Sequence, residues 1–259
     1  MIIENYLGDI YIYMLKPIMR MEILSNNLKK YKDVQCLLGL GSMSQIRRAD
    51  AYSDMDFFLI VKNGTKKAFM DDLNWLAVKP IVYQFRNSLD GYKILYEDGV
   101  YAEFAIFTEE EIVSATFTKG VIYYKSNDFD PTLVNPNHAP KPKKVDIEFN
   151  VNEALTNLYI GLLRLKRGEI SSSTTFIQTY AYNLILPLFD TVYKRLDPFE
   201  DPFVFERRIE FRYKEMSSYL PKFRQGYNKN KASAKEMLSF LYENFDLNQI
   251  FLAVLHELL

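Results

Sequence analysis

Two aspartates one residue apart, Asp54 and Asp56, open the apolar run "DMDFFLIV". Side chains two apart on a strand project to the same face, so these carboxylates point one way, about 6–7 Å apart along the chain. Carboxylates that close repel unless they are protonated or bridged by a cation. Oxygen donors without His or Cys favour Mg²⁺ or Mn²⁺ over zinc. A magnesium ion held by two carboxylates shares its remaining positions with substrate phosphates and water. Just upstream, Gly41-Ser42 ends another apolar run, "VQCLLGL". A Gly-Ser turn opening a helix offers N–H groups and a hydroxyl to an anion, and glycine lets the backbone approach a phosphate closely. Arg47 and Arg48 follow; they read equally as added cations or as ordinary solvated residues. The spacing unites a phosphate cradle with a metal site: the aspartates hold a metal that holds a nucleotide.

The elements that must position these residues are legible in outline. Pro17 to Lys32 has helical spacing of Met19, Ile23, Leu24 and Leu28 behind an N-terminal proline. "DVQCLLGL" reads as a buried strand, Gly41-Ser42 opens a short helix over "SMSQIRRA", and Asp54 to Val61 is the next strand. "AFMDDLNWLAV" has helical spacing. Three extended segments follow, "IVYQFRN", "YKILYED" and "VYAEFAIF", with Asp90-Gly91 and Asp98-Gly99 as turn signals. A helix near "EEEIVSAT" and the segment "GVIYYKS" close this half. "DFDPTLVNPNHAPKPKK" reads as a linker. Beyond it the pattern is helical: "NEALTNLYIGLLRLKRGE" stopping near Gly168, then "SSSTTFIQTYAYNLILPLFDTVYKRL" with Ser or Thr caps and a kink at Pro187. "RIEFRYKEMSSYL" and "SAKEMLSFLYENFDLNQIFLAVLHELL" supply the rest. The expectation is a mixed sheet flanked by helices over 1–135 and an all-helical domain over 136–259. No internal repeat is visible.

The 259 residues are enough for a substantial core. Charge is balanced and evenly spread, with 15 Lys and Arg against 18 Asp and Glu up to Pro136, and a formal net charge of −1 for the whole chain. Binding to a long phosphate backbone calls for a concentrated basic surface, so a small substrate is expected rather than nucleic acid. The single cysteine, Cys36, excludes an internal disulfide framework and reads as inert core. The N-terminal segment has neither a basic flank nor a small-residue cleavage site, and no run approaches a membrane span. The chain reads as soluble and cytoplasmic.

Gly-Ser followed at 10–13 residues by D-x-D or D-x-E at a strand start is the signature of the polymerase β-like nucleotidyltransferase superfamily, and "GSMSQIRRADAYSDMDFFLIVKN" resembles it closely. The likeness extends toward the lincosamide nucleotidyltransferases of the LinB type, in which a "YSDxEF" motif precedes a Trp-containing helix, a "P-x-x-x-x-Y" strand and a strand carrying G-E-F. Here "NWLAVKPIVYQF" and "VYAEFAIFTEEEI" fall in that order, and "NLYIGLLRLKRGE" is similar to that branch's first C-terminal helix. The resemblance covers roughly residues 20–175. It implies a polymerase β-like catalytic domain, with Glu103 as a third carboxylate on a strand beside the D-x-D strand. It also implies two Mg²⁺ ions (or Mn²⁺) and a nucleoside triphosphate as co-substrate. The acceptor would be the hydroxyl of a small molecule such as a lincosamide or aminoglycoside antibiotic, with resistance as the biological setting. Members of the branch commonly dimerise, so a homodimer is part of the expectation. Two departures stand out. Asp56 replaces the branch's Glu, and Gln45 or Ile46 replaces a Lys in the loop.

Other residues admit plainer readings. Lys166, Arg167 and Glu169 fit contact with phosphates and fit equally a basic helix end set against its own dipole. Arg207 and Arg208 fit a solvated helical face better than a nucleotide contact. Tyr159, Tyr180 and Tyr182 have the spacing of core aromatics, with an acceptor pocket as the rival account. His138 and His256 have no second His or Cys nearby. Two further activities compete with transfer to a small molecule: transfer to a protein target, as in toxin–antitoxin pairs, and nucleotide binding without catalysis.

Overall fold

The structure is a computed structural model that describes residues 15–137, 144–196 and 204–259. The chain divides into two compact units, Met1–Pro140 and Lys141–Leu259. His138 lies outside the described residues.

The first unit is built on a six-stranded sheet in the order β3-β4-β5-β2-β1-β6. Its strands are β1 (Val34–Gly39), β2 (Met55–Val61), β3 (Ile81–Arg86), β4 (Gly91–Tyr96), β5 (Tyr101–Thr108) and β6 (Val121–Lys125). The β2–β5 pair is parallel and the other pairs are antiparallel, which makes the sheet mixed. Helices α1 (Lys16–Leu28), α2 (Gly41–Ser44), α3 (Lys66–Asp71) and α4 (Glu109–Ile112) accompany it.

Alternation along β5 shows how the sheet is sided. Ala102, Phe104, Ile106 and Thr108 are buried while Tyr101, Glu103, Ala105 and Phe107 are half-buried. The buried face carries the larger core. Ile18, Met21, Leu24 and Leu28 of α1 pack there with Trp75, Phe57, Leu59, Phe104 and Ile106. Phe57 stacks on Phe104 with centroids 5.1 Å apart, and Trp75 meets Phe104 edge-on at 5.4 Å. The Trp75 indole donates to the Phe69 carbonyl at 3.0 Å, so its one polar group is satisfied.

The opposite face is covered over only part of its length. Cys36, Leu38 and Ile60 pack with Ile112, Phe117, Phe129 and Val134, and Phe58 and Phe107 lie against that cluster. β1 is buried on both sides, and a bulge between Val34 and Cys36 lets these two residues serve opposite faces. Cys36 is inert core, its thiol pushed up to about 12, burial raising it more than Lys125 lowers it. Among the described residues, the cluster's strand side chains on β2 and β5 end at Phe58 and Phe107, short of Asp56 and Glu103.

The second unit is helical. Its elements are α5 (Ile147–Lys166), α6 (Ile170–Thr175), α7 (Tyr182–Ile185), α8 (Phe189–Val192), α9 (Ile209–Arg212), α10 (Met216–Phe223), α11 (Asn230–Asn244) and α12 (Gln249–Leu258). Asp146 caps α5, its side chain accepting from the Phe149 N–H at 3.0 Å. Gly168, at φ +77°, ends it in the left-handed conformation that glycine adopts cheaply.

Three expectations are corrected. "AFMDDLNWLAV" is not one helix: α3 ends at Asp71 and a separate 3₁₀ turn spans Asn74–Leu76, because the Asp72 carboxylate accepts from the Asn74 N–H and turns the chain. The segment after Gly168 has no Ser or Thr cap; Glu169 occupies that position and makes no side-chain cap. It also contains a wide turn of π-helix over Phe176–Ala181 before the 3₁₀ turn at Leu186–Leu188 that holds Pro187. "RIEFRYKEMSSYL" is split at Tyr213, whose extended backbone separates α9 from α10.

Candidate functional site

The site occupies the open part of the second face, and strand register alone assembles most of it. In the parallel pair, Asp56 is level with Glu103; in the antiparallel pairs Glu103 is level with Lys93, and Lys93 with Phe85. Level residues share a face, so Asp56, Glu103, Lys93 and Phe85 form one row across β2, β5, β4 and β3. A second row runs beside it through Tyr101, Leu95 and Tyr83. Asp54, two residues before Asp56, stands at the end of that row. It lies close enough to Tyr101 to raise the phenol electrostatically, together with Glu103 and burial, which is the largest influence.

The Gly-Ser bend closes the other end of the first row. Gly41 has φ +51°, and a methyl group on its Cα would come 2.6 Å from Asp56 Oδ2. Only glycine allows the bend to lie this close over the Asp56 carboxylate. The backbone ties the two together as well, since the Leu40 N–H donates to the Asp56 carbonyl at 2.8 Å. The Ser42 hydroxyl is buried and has no hydrogen-bond partner. Buried hydroxyls are normally bonded, so this one is suited to an oxygen-bearing ligand in the bend.

Glu103 leans toward β4. Its Oε2 lies 3.2 Å from Lys93 Nζ, and Asn87 Nδ2 donates to its Oε1 at 3.2 Å. The pairing holds Lys93 above the usual lysine range, the hydrogen bond to Glu103 being the largest cause and Asp56 a smaller one. Among the described residues, no group of three or more His, Cys, Asp or Glu side chains stands close enough to hold a metal ion. The three carboxylates thus share one open face without closing into a ligating cluster, and Lys93 holds the place of a cation beside Glu103.

The remaining candidates are dispersed. Arg47 is exposed, while Arg48 is half-buried in the 3₁₀ turn Ile46–Arg48 and donates to Gln45 Oε1 at 2.8 Å. Lys166 is exposed in the last turn of α5, in the second unit. Tyr182 is buried core, Tyr159 packs edge-on against Phe251 and Tyr180 is exposed. His256 lines a groove of about 550 Å³ with Lys235, Tyr242 and Leu252. Lys93, Asn87, Tyr101 and Tyr83 were not singled out in the sequence. For Lys93 and Tyr101 the signal lay in the Asp98-Gly99 turn, from which outward pairing sets Lys93 opposite Glu103 once the loop length is known; that turn does not place Asn87 or Tyr83.

No protein-family profile and no curated protein matches the chain. Solved structures are similar to it, among them the following two. The crystal structure of an aminoglycoside 6-adenyltransferase from Bacillus subtilis is 13% identical, covering 92% of this chain and 95% of that chain at a TM-score of 0.39. A nucleotidyltransferase-like protein from Exiguobacterium sibiricum is 10% identical, covering 84% of this chain and 72% of that chain at a TM-score of 0.31. Likenesses this distant carry no chemistry across to the residues above.

Proposed function

We propose that the chain transfers a nucleoside monophosphate from a nucleoside triphosphate to a hydroxyl of a small molecule, with Mg²⁺ as the metal. One observation carries the reading. The Gly41-Ser42 bend, with its unpartnered buried hydroxyl, lies directly over Asp56, which is itself level with Glu103. A bend with an unpartnered hydroxyl and carboxylates on one face are what this reaction brings together.

The donor set suits a hard cation: oxygen atoms only, on one face, beside a hydroxyl that lacks a partner. Asp54 and Asp56 would hold the ions. Glu103 joins them only by exchanging Lys93 and Asn87 for the metal. When bound, the ions supply charge stabilisation for the attacking and leaving oxygens. The chain's own residues do the rest. Ser42 Oγ donates to a phosphate oxygen, and Gly41 keeps the approach to Asp56 clear. Arg47 or Arg48, in the 3₁₀ turn that follows the bend, adds a cation for the phosphates. The acceptor oxygen forms a bond to the α-phosphorus as the bond to pyrophosphate breaks. The hydroxyl proton passes to Glu103 when that carboxylate acts as base, or to solvent when it acts only as ligand.

A pyrophosphate-release screen of four nucleoside triphosphates against lincosamide, aminoglycoside and other hydroxyl acceptors tests the reading. The expected result is release that needs Mg²⁺ and acceptor and disappears in Asp54→Ala. Turnover that survives in Asp54→Ala would reject the assignment. Label on a co-purifying polypeptide would point to a protein target instead. Tight Mg-nucleotide binding with no release from any acceptor would point to a non-catalytic binder. The antibiotic acceptor, the homodimer and the cytoplasmic setting belong to this proposal; the screen tests the acceptor.

A further inference from the structure

The two rows do not stop at the acids. Past Glu103 they continue over β4 and β3 as Lys93, Leu95, Tyr83 and Phe85, with Tyr101 between the strands and the aspartates. β3 is the edge strand, and Tyr83 and Phe85 are 54% and 52% exposed on its acid-bearing face. Large aromatic side chains this exposed, next to one another and level with a catalytic candidate, need an explanation that core packing does not supply. Leu95 stands between Tyr83 and Tyr101 in the same row, so the apolar surface continues from β3 across β4 to the strand that carries Glu103. Among the described residues of this surface beyond Glu103, Lys93 is the charged one.

We infer that this surface is the acceptor platform, and that it takes a neutral or anionic molecule of at least two ring units, one of which stacks on Tyr83 and Phe85. The inference rests on the transfer reaction proposed above. With the triphosphate at the Gly41-Ser42 bend, the acceptor must approach Glu103 from the opposite side, which is β4 and β3. Strands lie about 4.8 Å apart, so Phe85 stands roughly 10 Å across the sheet from Glu103. A hydroxyl placed at Glu103 therefore belongs to one ring, and the stacked group to a second. Aromatic faces suit a planar ring or the C–H face of a sugar. Lys93, whose ammonium has donors beyond the one that Glu103 takes, would favour a carboxylate or hydroxyl on the acceptor over a polyamine.

The test loads the protein with Mn²⁺ and a nucleotide bearing a methylene bridge between the α- and β-phosphorus atoms, and follows binding by calorimetry. The probes are phenyl glucoside, phenyl glucuronide, methyl glucoside and a tetra-amine aminocyclitol antibiotic. Phenyl glucoside and phenyl glucuronide should bind more tightly than the tetra-amine. The double variant Tyr83→Ala/Phe85→Ala should weaken both phenyl probes about tenfold and leave methyl glucoside and Mn²⁺-nucleotide affinity unchanged. Lys93→Met should erase the preference for glucuronide over glucoside. Melting curves check that the variants fold. The platform is overturned if the double variant binds phenyl glucoside like the wild type, if the tetra-amine binds best, or if no ring-bearing probe binds the loaded protein. Failure of the wild type to bind Mn²⁺-nucleotide, read in the first titration, overturns the transfer reaction itself.

Discussion

Charge is gathered in two places, and they are organised in opposite ways. In the helical unit, Arg195 grips Asp190 through both nitrogens of one edge, and the Tyr213 hydroxyl donates to the same carboxylate. Arg212 is fully buried beside them, donating to the carbonyls of Phe205 and Arg207 and lying 4.5 Å over the Phe205 ring. On the sheet, Asp54, Asp56 and Glu103 stand half-buried on an open face, with Lys93 in their row. The first arrangement supplies its own counter-charges around a fully buried Arg212, with the Arg195–Asp190 pair half-buried. The second leaves its acids where a ligand can reach them. Closed charge secures a fold, while open charge of one sign awaits something from outside.

Removing an acid from the open row should cost chemistry and not stability. Asp54→Ala or Asp56→Ala should lower pyrophosphate release by about a thousandfold or more, the scale of metal-ligand loss. The melting temperature without metal should hold or rise, because like charges have been thinned. A marked fall in melting temperature would mean the row is structural after all.

The closed cluster should behave in reverse. Arg212→Ala empties a fully buried site and removes one of the cluster's two cations, at about 3–5 kcal/mol in urea unfolding. Mn²⁺-nucleotide affinity should be unaffected. A loss of affinity would link the two regions.

Gly41→Ala probes the seam between bend and acid. An alanine at φ +51° costs about 1–2 kcal/mol, and its methyl group must displace the Asp56 carboxylate. Stability and Mn²⁺ affinity should therefore fall together, unlike either variant above. Unchanged metal affinity would show that the bend does not shape the site.

The smallest effect is in acid. Burial pushes the Asp190 carboxyl up, but the bonds from Arg195 and Tyr213 outweigh it and hold the group below the usual carboxylate range. A carboxylate depressed on folding adds stability that is present above its unfolded value and is lost as pH falls through the folded one. Asp190→Asn should flatten that part of the acid limb in melting-temperature profiles between about pH 5 and pH 2. An acid limb identical to the wild type would assign the pairing no role.

The sheet was largely legible because its strands are short alternating or apolar runs with Gly turns between them. Both aspartates were legible because strand period two puts them together without any tertiary knowledge. Lys93 was not, because its place beside Glu103 depends on register between strands, which hydrophobic pattern leaves open by steps of two residues. The π turn at Phe176–Ala181 was hidden for a different reason. Gly161 of α5 faces Ile177 there so closely that an added methyl group would come 2.5 Å from its side chain. The widened turn sits where this packing is tightest, a tertiary fit that helical periodicity does not encode.

The placement of Tyr83 and Phe85 on the outermost strand has a consequence for how such a protein changes over time. β3 leans on a single neighbour and contributes little to the buried interior, so new side chains can be tried there at small risk to folding. The proposed machinery of group transfer sits on inner strands, where almost any exchange is punished. A lineage could thus move from one acceptor to another by editing its outer margin and leave the reaction untouched.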